Sequence, residues 1–161
     1  MWREFYADDM SAESIDAEST TPAVSSYAGD VTPDDAYAAL AADDDAVLVD
    51  VRTRAEWSYV GLPDLSALGK RVVCVEWQRF PDGAVNGDFV EQLQDAGLPD
   101  GAPIYFLCRS GVRSVAAAKA ATRAGLGPAY NVLEGFEGPP DEHHHRAVSG
   151  WKNAGLPWRQ G

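Results

Sequence analysis

The chain has 161 residues, of which 45% are hydrophobic, and a formal net charge of -12 from 25 acidic and 13 basic residues. This size suits one domain with a tail, and no apolar run reaches the roughly 18 to 20 residues that a membrane helix needs. The charge balance lacks the clustered Lys and Arg that bind nucleic acid, an acidic membrane would repel it, and two cysteines do not make a disulfide scaffold.

The acidic charge is concentrated near the start of the chain. Residues 1–45 hold twelve of the acidic residues and a single basic one, Arg3. Residues 1–27 are also poor in branched apolar side chains, so they cannot offset the entropy lost on ordering. We predict an acidic, disordered tail over residues 1–27 and one domain over residues 28–161. An acidic, polar start is unlike a secretory signal, which favours a cytoplasmic protein.

Helices are predicted where a capping residue precedes a helical pattern. Thr32 is a typical N-cap, and Pro33 suits the first position of a helix. Thr53 and Glu56 have the spacing of a capping box, and Asn86 is expected to cap a later helix. The predicted helices cover residues 33–42, 53–57, 86–97 and 110–124, with Gly125 just past the end of the last one.

Short, continuous apolar runs predict strands that are covered on both faces. These runs lie at residues 46–51, 71–75, 104–107 and 130–133. Because the strands alternate with helices, we predict an α/β fold with a mainly parallel sheet flanked by helices. Ligands of such sheets bind beyond the carboxyl ends of the strands, which directs attention to the residues after Leu107.

The segment after Leu107 carries the strongest functional signal, Cys108-Arg109-Ser110-Gly111-Val112-Arg113-Ser114. A cysteine between a buried strand and a helix N-terminus is close to backbone N–H groups and to about half a positive charge. Two nearby arginines add positive charge, and the glycine lets the backbone approach a ligand. Because these features favour thiolate over thiol, we predict that Cys108 is a reactive nucleophile.

This loop resembles the active-site loop of the rhodanese family of sulfurtransferases. Other parts of the chain are similar to that family in the same order: residues 48–52 with 56–57, residues 84–86, residues 131–136, and the segments around Trp151 and Trp158. The resemblance covers about residues 28–161. It implies the rhodanese-like three-layer fold, with helices on both sides of the sheet.

The resemblance also implies a reaction. Sulfane sulfur would pass from thiosulfate or another persulfide donor to cyanide or a thiol, through a persulfide on Cys108. Six following residues would bind the substrate: Arg109, Ser110, Gly111, Val112, Arg113 and Ser114. No cofactor and no metal are implied. The expected partners are small-molecule donors and acceptors, and a protein could also accept the sulfur.

Two other functions stay open. The chain could be a persulfide carrier or binding module for a specific protein partner, with the acidic tail as a docking arm. It could also be a phosphatase of the same fold. Such phosphatases resemble Cys-x₅-Arg, whereas four residues separate Cys108 from Arg113 here. The shorter loop suits a single sulfur atom, so the phosphatase hypothesis ranks lower.

Further residues are assigned structural roles. Asp50, Arg52 and Glu56 are expected to support the site as an ion-pair and capping network. Cys74 lies in an apolar run and is predicted to be a small buried residue, not a resolving thiol. Residues 143–145 are three histidines in a row whose side chains project in different directions, so we predict a surface cluster and no metal site.

Overall fold

The computed structural model of the chain describes residues 26–79, 81–146 and 148–160. The predicted tail therefore lies outside the described residues, except for Ser26 and Tyr27. The Tyr27 side chain packs against the hydrophobic core, and the Ala28 N–H donates to the Ala129 carbonyl at 2.7 Å.

The described residues form short strands and helices in alternation. The strands are β1 (Gly29–Val31), β2 (Val47–Asp50), β3 (Leu62–Pro63), β4 (Val73–Cys74), β5 (Ile104–Leu107), β6 (Ala129–Val132) and β7 (Trp158–Arg159). The helices are α1 (Pro33–Ala42), α2 (Arg54–Tyr59), α3 (Phe89–Asp95) and α4 (Val112–Arg123). A short 3-10 turn covers Ser66–Leu68.

The main sheet has five strands in the order β1-β6-β5-β2-β4. All of its neighbouring strands are parallel. A separate antiparallel pair joins β3 to β7. The predicted fold class, a mainly parallel sheet flanked by helices, is thereby confirmed. The short strands β1, β3 and β7 were not predicted, because two or three residues do not form an apolar run.

The central strand β5 is buried on both faces, as its continuous apolar sequence predicts. Ile104 and Phe106 belong to a core cluster with residues of α3 and α4. Tyr105 and Leu107 alternate with them and belong to a second cluster with residues of α1 and the fully buried Trp151. Both faces of β5 are covered, and the residue that follows its end, Cys108, is also buried.

The first two helices begin as predicted. The Thr32 hydroxyl accepts a hydrogen bond from the Asp35 N–H at 3.0 Å. At α2, Thr53 accepts from the Glu56 N–H at 3.3 Å, and the Glu56 carboxylate accepts from the Thr53 N–H at 3.1 Å, which completes a capping box. These side chains satisfy N–H groups that have no partner within the helix.

The prediction that Asn86 caps α3 is wrong. The N-cap position is Asp88, and no side chain accepts a hydrogen bond there. Asn86 is buried, and its amide donates to the Glu76 carbonyl at 2.9 Å while its oxygen accepts from the Asp88 N–H at 3.0 Å. Asn86 therefore closes the turn before α3, since its short amide can reach backbone groups on both sides.

The three histidines at positions 143–145 are exposed, as predicted. Among residues 26–79, 81–146 and 148–160, no three His, Cys, Asp or Glu side chains are grouped so as to hold a metal ion. Over the same part of the chain, no helix combines the length and the apolar character required to cross a membrane.

Candidate active site

Cys108 lies directly after β5, at the floor of a loop that leads into α4. The residue is 1% exposed, and the Gly111 N–H donates to its Sγ at 3.0 Å. Gly111 is the N-cap of α4 and has a φ of 113°, a conformation that glycine adopts without steric cost. The predicted helix start at residue 110 is therefore two residues too early, because Ser110 and Gly111 form the loop that turns a backbone N–H toward the sulfur.

The loop is braced by the chain that follows β6. Its backbone carbonyls at Cys108 and Arg109 accept hydrogen bonds from the N–H groups of Phe136, Glu137 and Gly138 at 2.7, 3.0 and 3.1 Å. Gly135 lies so close that a Cβ built on it would be 2.3 Å from the Cys108 carbonyl oxygen. The position of Cys108 is thus fixed from outside the loop.

Buried polar side chains continue from the sulfur toward β1. Cys108 Sγ is 3.2 Å from Ser114 Oγ, and the Ser114 hydroxyl donates to Asn131 Oδ1 at 2.6 Å. Asn131 Nδ2 donates to the Asp30 carboxylate at 3.0 Å. The Tyr27 hydroxyl donates to the same carboxylate at 2.9 Å. Ser114 was predicted to be a site residue, whereas Asn131 and Asp30 were not.

Both arginines of the loop are paired with carboxylates. Arg113 donates through Nη1 and Nη2 to the two oxygens of Glu56, at 2.7 and 3.0 Å. Arg109 donates through Nε to Glu137 at 3.1 Å, and its side chain stays 47% exposed. Arg109 therefore has N–H groups that face solvent. In Arg113, one edge of the guanidinium binds the Glu56 carboxylate and so links α4 to α2.

Glu56 is the electrostatic link between α2 and the loop. Burial alone would raise the pKa of its carboxyl, but hydrogen bonds from Arg113 and the Thr53 N–H, with the charges of Arg113 and Arg52, lower this pKa to about 2. The same hydrogen bond to Glu56 raises the pKa of Arg113 against the opposing effect of burial. The pair stays charged at neutral pH.

Replacing Glu56 by glutamine is expected to lower the free energy of unfolding by about 1–3 kcal/mol at neutral pH. Because folding lowers the pKa of Glu56, the stabilisation is complete above the unfolded value of 4.5 and is lost as the pH falls toward about 2. Urea unfolding of both chains at neutral pH and at about pH 3 measures this. The deficit of Glu56→Gln should shrink at the lower pH, while Glu91→Gln, at an exposed position on α3, should change little. A deficit independent of pH would contradict the assignment.

A second ion pair is fully buried beside the site. Asp50, at the end of β2, and Arg52 have no exposed side-chain surface, and Arg52 Nη2 is 2.5 Å from Asp50 Oδ2. Arg52 also donates to the Gly61 carbonyl at 2.7 Å and lies 4.3 Å from the centre of the Phe136 ring. Asp50 and Arg52 therefore form an ion pair that connects β2 to the segment that braces the loop, whereas Glu56 caps α2 and pairs with Arg113.

The prediction that Cys74 is a small buried residue is wrong, because the residue is exposed. It lies on β4, which is the edge strand of the sheet formed by the described residues. Cys74 pairs with Asp50, and Asp50 pairs with Leu107, so these side chains share the sheet face opposite Cys108. Partial burial of the thiol and the Asp50 carboxylate raise the pKa of Cys74 to about 12. This position argues against a resolving thiol.

Of the predicted site residues, Gly111 and Ser114 contact the Cys108 sulfur. Val112 is 78% exposed, so its side chain points away from the protein and its backbone alone belongs to the loop. Three residues of the site were not predicted as site residues: Asn131, Gly135 and Glu137. The signals were a polar residue within a buried strand for Asn131 and a glycine three residues after that strand for Gly135.

Sequence comparison places the chain among known proteins. A family model described as the STR4 middle domain matches residues 28–161. An uncharacterized protein of Rickettsia conorii is 42% identical over 125 residues, which are 77% of this chain and 91% of that protein. The chloroplastic rhodanese-like domain-containing protein 4 of Arabidopsis thaliana is 31% identical over 124 residues, which are 76% of this chain and 24% of that protein.

Solved structures of the same fold extend the comparison. The crystal structure of Rv0390 from M. tuberculosis has 55% identity and a TM-score of 0.78, and the match covers 84% of this chain and 99% of that one. A polysulfide-sulfur transferase homodimer from Wolinella succinogenes has 23% identity and a TM-score of 0.55, over 82% of this chain and 78% of its own. A Rhodopseudomonas palustris protein described as a possible tyrosine phosphatase has 23% identity and a TM-score of 0.50, over 81% and 84%.

The last two structures establish the fold alone, a mainly parallel sheet flanked by helices. The family match spans every described strand and helix, from β1 to β7, and includes the Cys108 loop. The chain belongs to the STR4 middle domain family.

Proposed function

We propose that the chain is a sulfurtransferase that moves sulfane sulfur from thiosulfate or another persulfide donor to cyanide or a thiol, through a persulfide on Cys108. The observation that carries this proposal is the Cys108 sulfur itself. It lies at the carboxyl end of a central strand, 3.0 Å from the Gly111 nitrogen and next to the first turn of α4. Backbone N–H groups and a helix N-terminus stabilise negative charge on sulfur.

The reaction has two half-reactions. In the first, the Cys108 thiolate attacks the outer sulfur of thiosulfate, the S–S bond of the donor breaks, and sulfite leaves with the bonding electron pair. In the second, cyanide or a thiolate attacks the terminal sulfur, and Cys108 leaves as a thiolate. The loop N–H groups would hold the persulfide anion, and the exposed face of Arg109 would attract the anionic donor.

Two features favour sulfur over phosphate as the transferred group. Four residues separate Cys108 from Arg113, a shorter loop than the Cys-x₅-Arg pattern of phosphatases. The guanidinium of Arg113 is bound to both oxygens of Glu56, so the same edge cannot also hold a tetrahedral phosphate. The description of one relative, the rhodanese-like domain-containing protein of Arabidopsis thaliana, supports the same chemistry.

The test is a comparison of two substrates with the full chain. Thiosulfate and cyanide should give thiocyanate with saturation in both substrates and with the parallel-line kinetics of a ping-pong mechanism. An aryl phosphate should not be hydrolysed above the background rate. Hydrolysis of the phosphate without formation of thiocyanate would overturn the proposal in favour of a phosphatase.

A protein or small thiol is the acceptor that we propose for the second half-reaction in the cell. After thiosulfate treatment and removal of the excess donor, the persulfide chain should lose its extra sulfur to a low-molecular-weight thiol within minutes. Slow loss to every small thiol, with fast loss to a protein of a cell extract, would favour the carrier function over the enzyme.

A further inference from the structure

A chain of hydrogen-bonded side chains leads from the Cys108 sulfur to the surface at β1, and the proposed reaction does not use it. Ser114 is fully buried and Asn131 is 3% exposed. Because polar groups with so little access to water must satisfy one another, the direction of each hydrogen bond between them can be worked out.

The Asp30 carboxylate fixes these directions, because an ionised carboxylate only accepts hydrogen bonds. The Asn131 side-chain nitrogen therefore faces Asp30, with Nδ2 3.0 Å from Asp30 Oδ1. The Asn131 oxygen, Oδ1, faces Ser114 and lies 2.6 Å from its Oγ. An amide oxygen also only accepts, so it takes the single hydroxyl proton of Ser114. The Tyr27 hydroxyl donates to the same Asp30 oxygen and holds the carboxylate in place.

We infer that Asn131 is a positioning residue that makes Ser114 accept a hydrogen bond from the Cys108 thiol and prevents it from donating one to the thiolate. With its proton directed at Asn131, Ser114 presents only lone pairs to Sγ, 3.2 Å away. Lone pairs suit an S–H donor and repel a thiolate. Ser114 could turn its proton to an ionised sulfur only by leaving the buried Asn131 oxygen without a donor, which is costly.

This arrangement would influence which sulfur atom carries the negative charge during sulfur transfer. That consequence rests on the proposed function. In the free enzyme, the charge of the thiolate lies on Sγ, next to the Ser114 lone pairs. In the persulfide, the charge lies on the outer sulfur, and Sγ carries neither a proton nor a full charge. Asn131 therefore disfavours charge on Sγ relative to the persulfide, which favours uptake of the sulfur atom.

The experiment measures the ratio of thiolate to thiol at Cys108 and needs no sulfur donor. The ultraviolet absorbance of the thiolate is recorded for the full chain, and the absorbance of the same chain with Cys108→Ala is subtracted, which also removes any signal from Cys74. The pH is chosen so that the thiolate is the minor form. Asn131→Val, which removes the amide oxygen and keeps a residue suited to a strand, is expected to raise the ratio about tenfold, because Ser114 is then free to donate to the sulfur.

The matched control is the same substitution in a chain that already carries Ser114→Ala. Without the hydroxyl, Asn131→Val should change the ratio by less than about twofold. A residue with a merely structural role would give the same change in both backgrounds. Equal changes would therefore overturn the inference, as would an unchanged or lower ratio for Asn131→Val when Ser114 is present.

A second variant keeps the test decisive if Asn131→Val fails to fold. Asp30 is exposed on β1, and Asp30→Asn replaces a carboxylate that only accepts by an amide that can also donate, so the orientation of the Asn131 amide is no longer fixed. Its effect on the ratio should be larger with Ser114 than with Ser114→Ala, in which only the loss of one negative charge remains. An effect of the same size in both backgrounds would contradict the inference.

The other charged groups near the site stay constant in every comparison. They lie on α2, α4, β2 and the adjoining loops: Asp50, Arg52, Glu56, Arg109, Arg113, Glu134 and Glu137. Their electrostatic effect on the sulfur is therefore the same in each variant and in its parent chain. It cancels when the change measured with Ser114 is compared with the change measured with Ser114→Ala.

Discussion

Cys108→Ala is expected to abolish sulfur transfer, with turnover of thiosulfate and cyanide reduced at least about a thousandfold. The reaction needs an atom that forms a bond to sulfane sulfur and then leaves as an anion, and alanine has none. Cys108→Ser, which restores most of the lost volume, should be equally inactive, because the hydroxyl is far less acidic and less nucleophilic than a thiol. Thiocyanate formation by the purified variants is the measurement.

The matched control for this prediction is Cys74→Ala. Cys74 lies on the edge strand, on the sheet face opposite Cys108, and its pKa of about 12 keeps the thiol protonated at neutral pH. Turnover of Cys74→Ala should stay within about twofold of the unmodified chain. Loss of activity in this control with retention in Cys108→Ala would contradict the assignment of the nucleophile.

Gly135→Ala is expected to disrupt the loop that holds Cys108. Gly135 has a φ of 57°, which is unfavourable for alanine. In addition, the new Cβ would lie 2.3 Å from the Cys108 carbonyl oxygen and 2.7 Å from the Arg109 carbonyl carbon. Both are backbone atoms, so the loop and the bracing segment must move apart. We expect a loss of at least about 3 kcal/mol in the free energy of unfolding and a fall in turnover of at least about a hundredfold.

Gly125→Ala separates the two causes. Gly125 has a φ of 80°, but a Cβ there would meet nothing within 4 Å. This variant should lose about 1–2 kcal/mol of stability from its backbone conformation alone and should keep its activity. Thermal or urea unfolding and turnover of both variants are compared. Similar losses in the two chains would mean that the close approach of Gly135 to the loop has no importance.

The fold could be predicted from the sequence where a local pattern was strong. The apolar run that ends at Leu107 predicted β5, and the spacing of Thr53 and Glu56 predicted the capping box. The pairing of β3 with β7 joins Leu62 to Arg159, a contact across almost a hundred residues between segments without a strand pattern. Asn86 was misassigned because an asparagine before a helix can cap it or close the preceding turn, and the choice depends on contacts such as the one with the Glu76 carbonyl, ten residues earlier, that the local pattern does not show.

The candidate site, like the fold, was predictable where its residues are neighbours in the sequence. The residues from Cys108 to Ser114 are contiguous, so their motif was visible in the sequence. The ion pair of Glu56 with Arg113 was not visible, because the two residues are 57 positions apart. The hydrogen bonds from Asn131 to Ser114 and Asp30 likewise depend on the order of strands in the sheet. Cys74 was misassigned because an apolar run does not reveal whether its strand is central or at an edge.

The most direct test of the central claim is the intact mass of the full chain after incubation with thiosulfate, with Cys108→Ala as the control. We expect a gain of one sulfur atom, located on the peptide that contains Cys108, absent from the control and removed by cyanide with release of thiocyanate. No gain with thiosulfate or with polysulfide, or a gain located on Cys74, would contradict the claim that Cys108 carries the transferred sulfur.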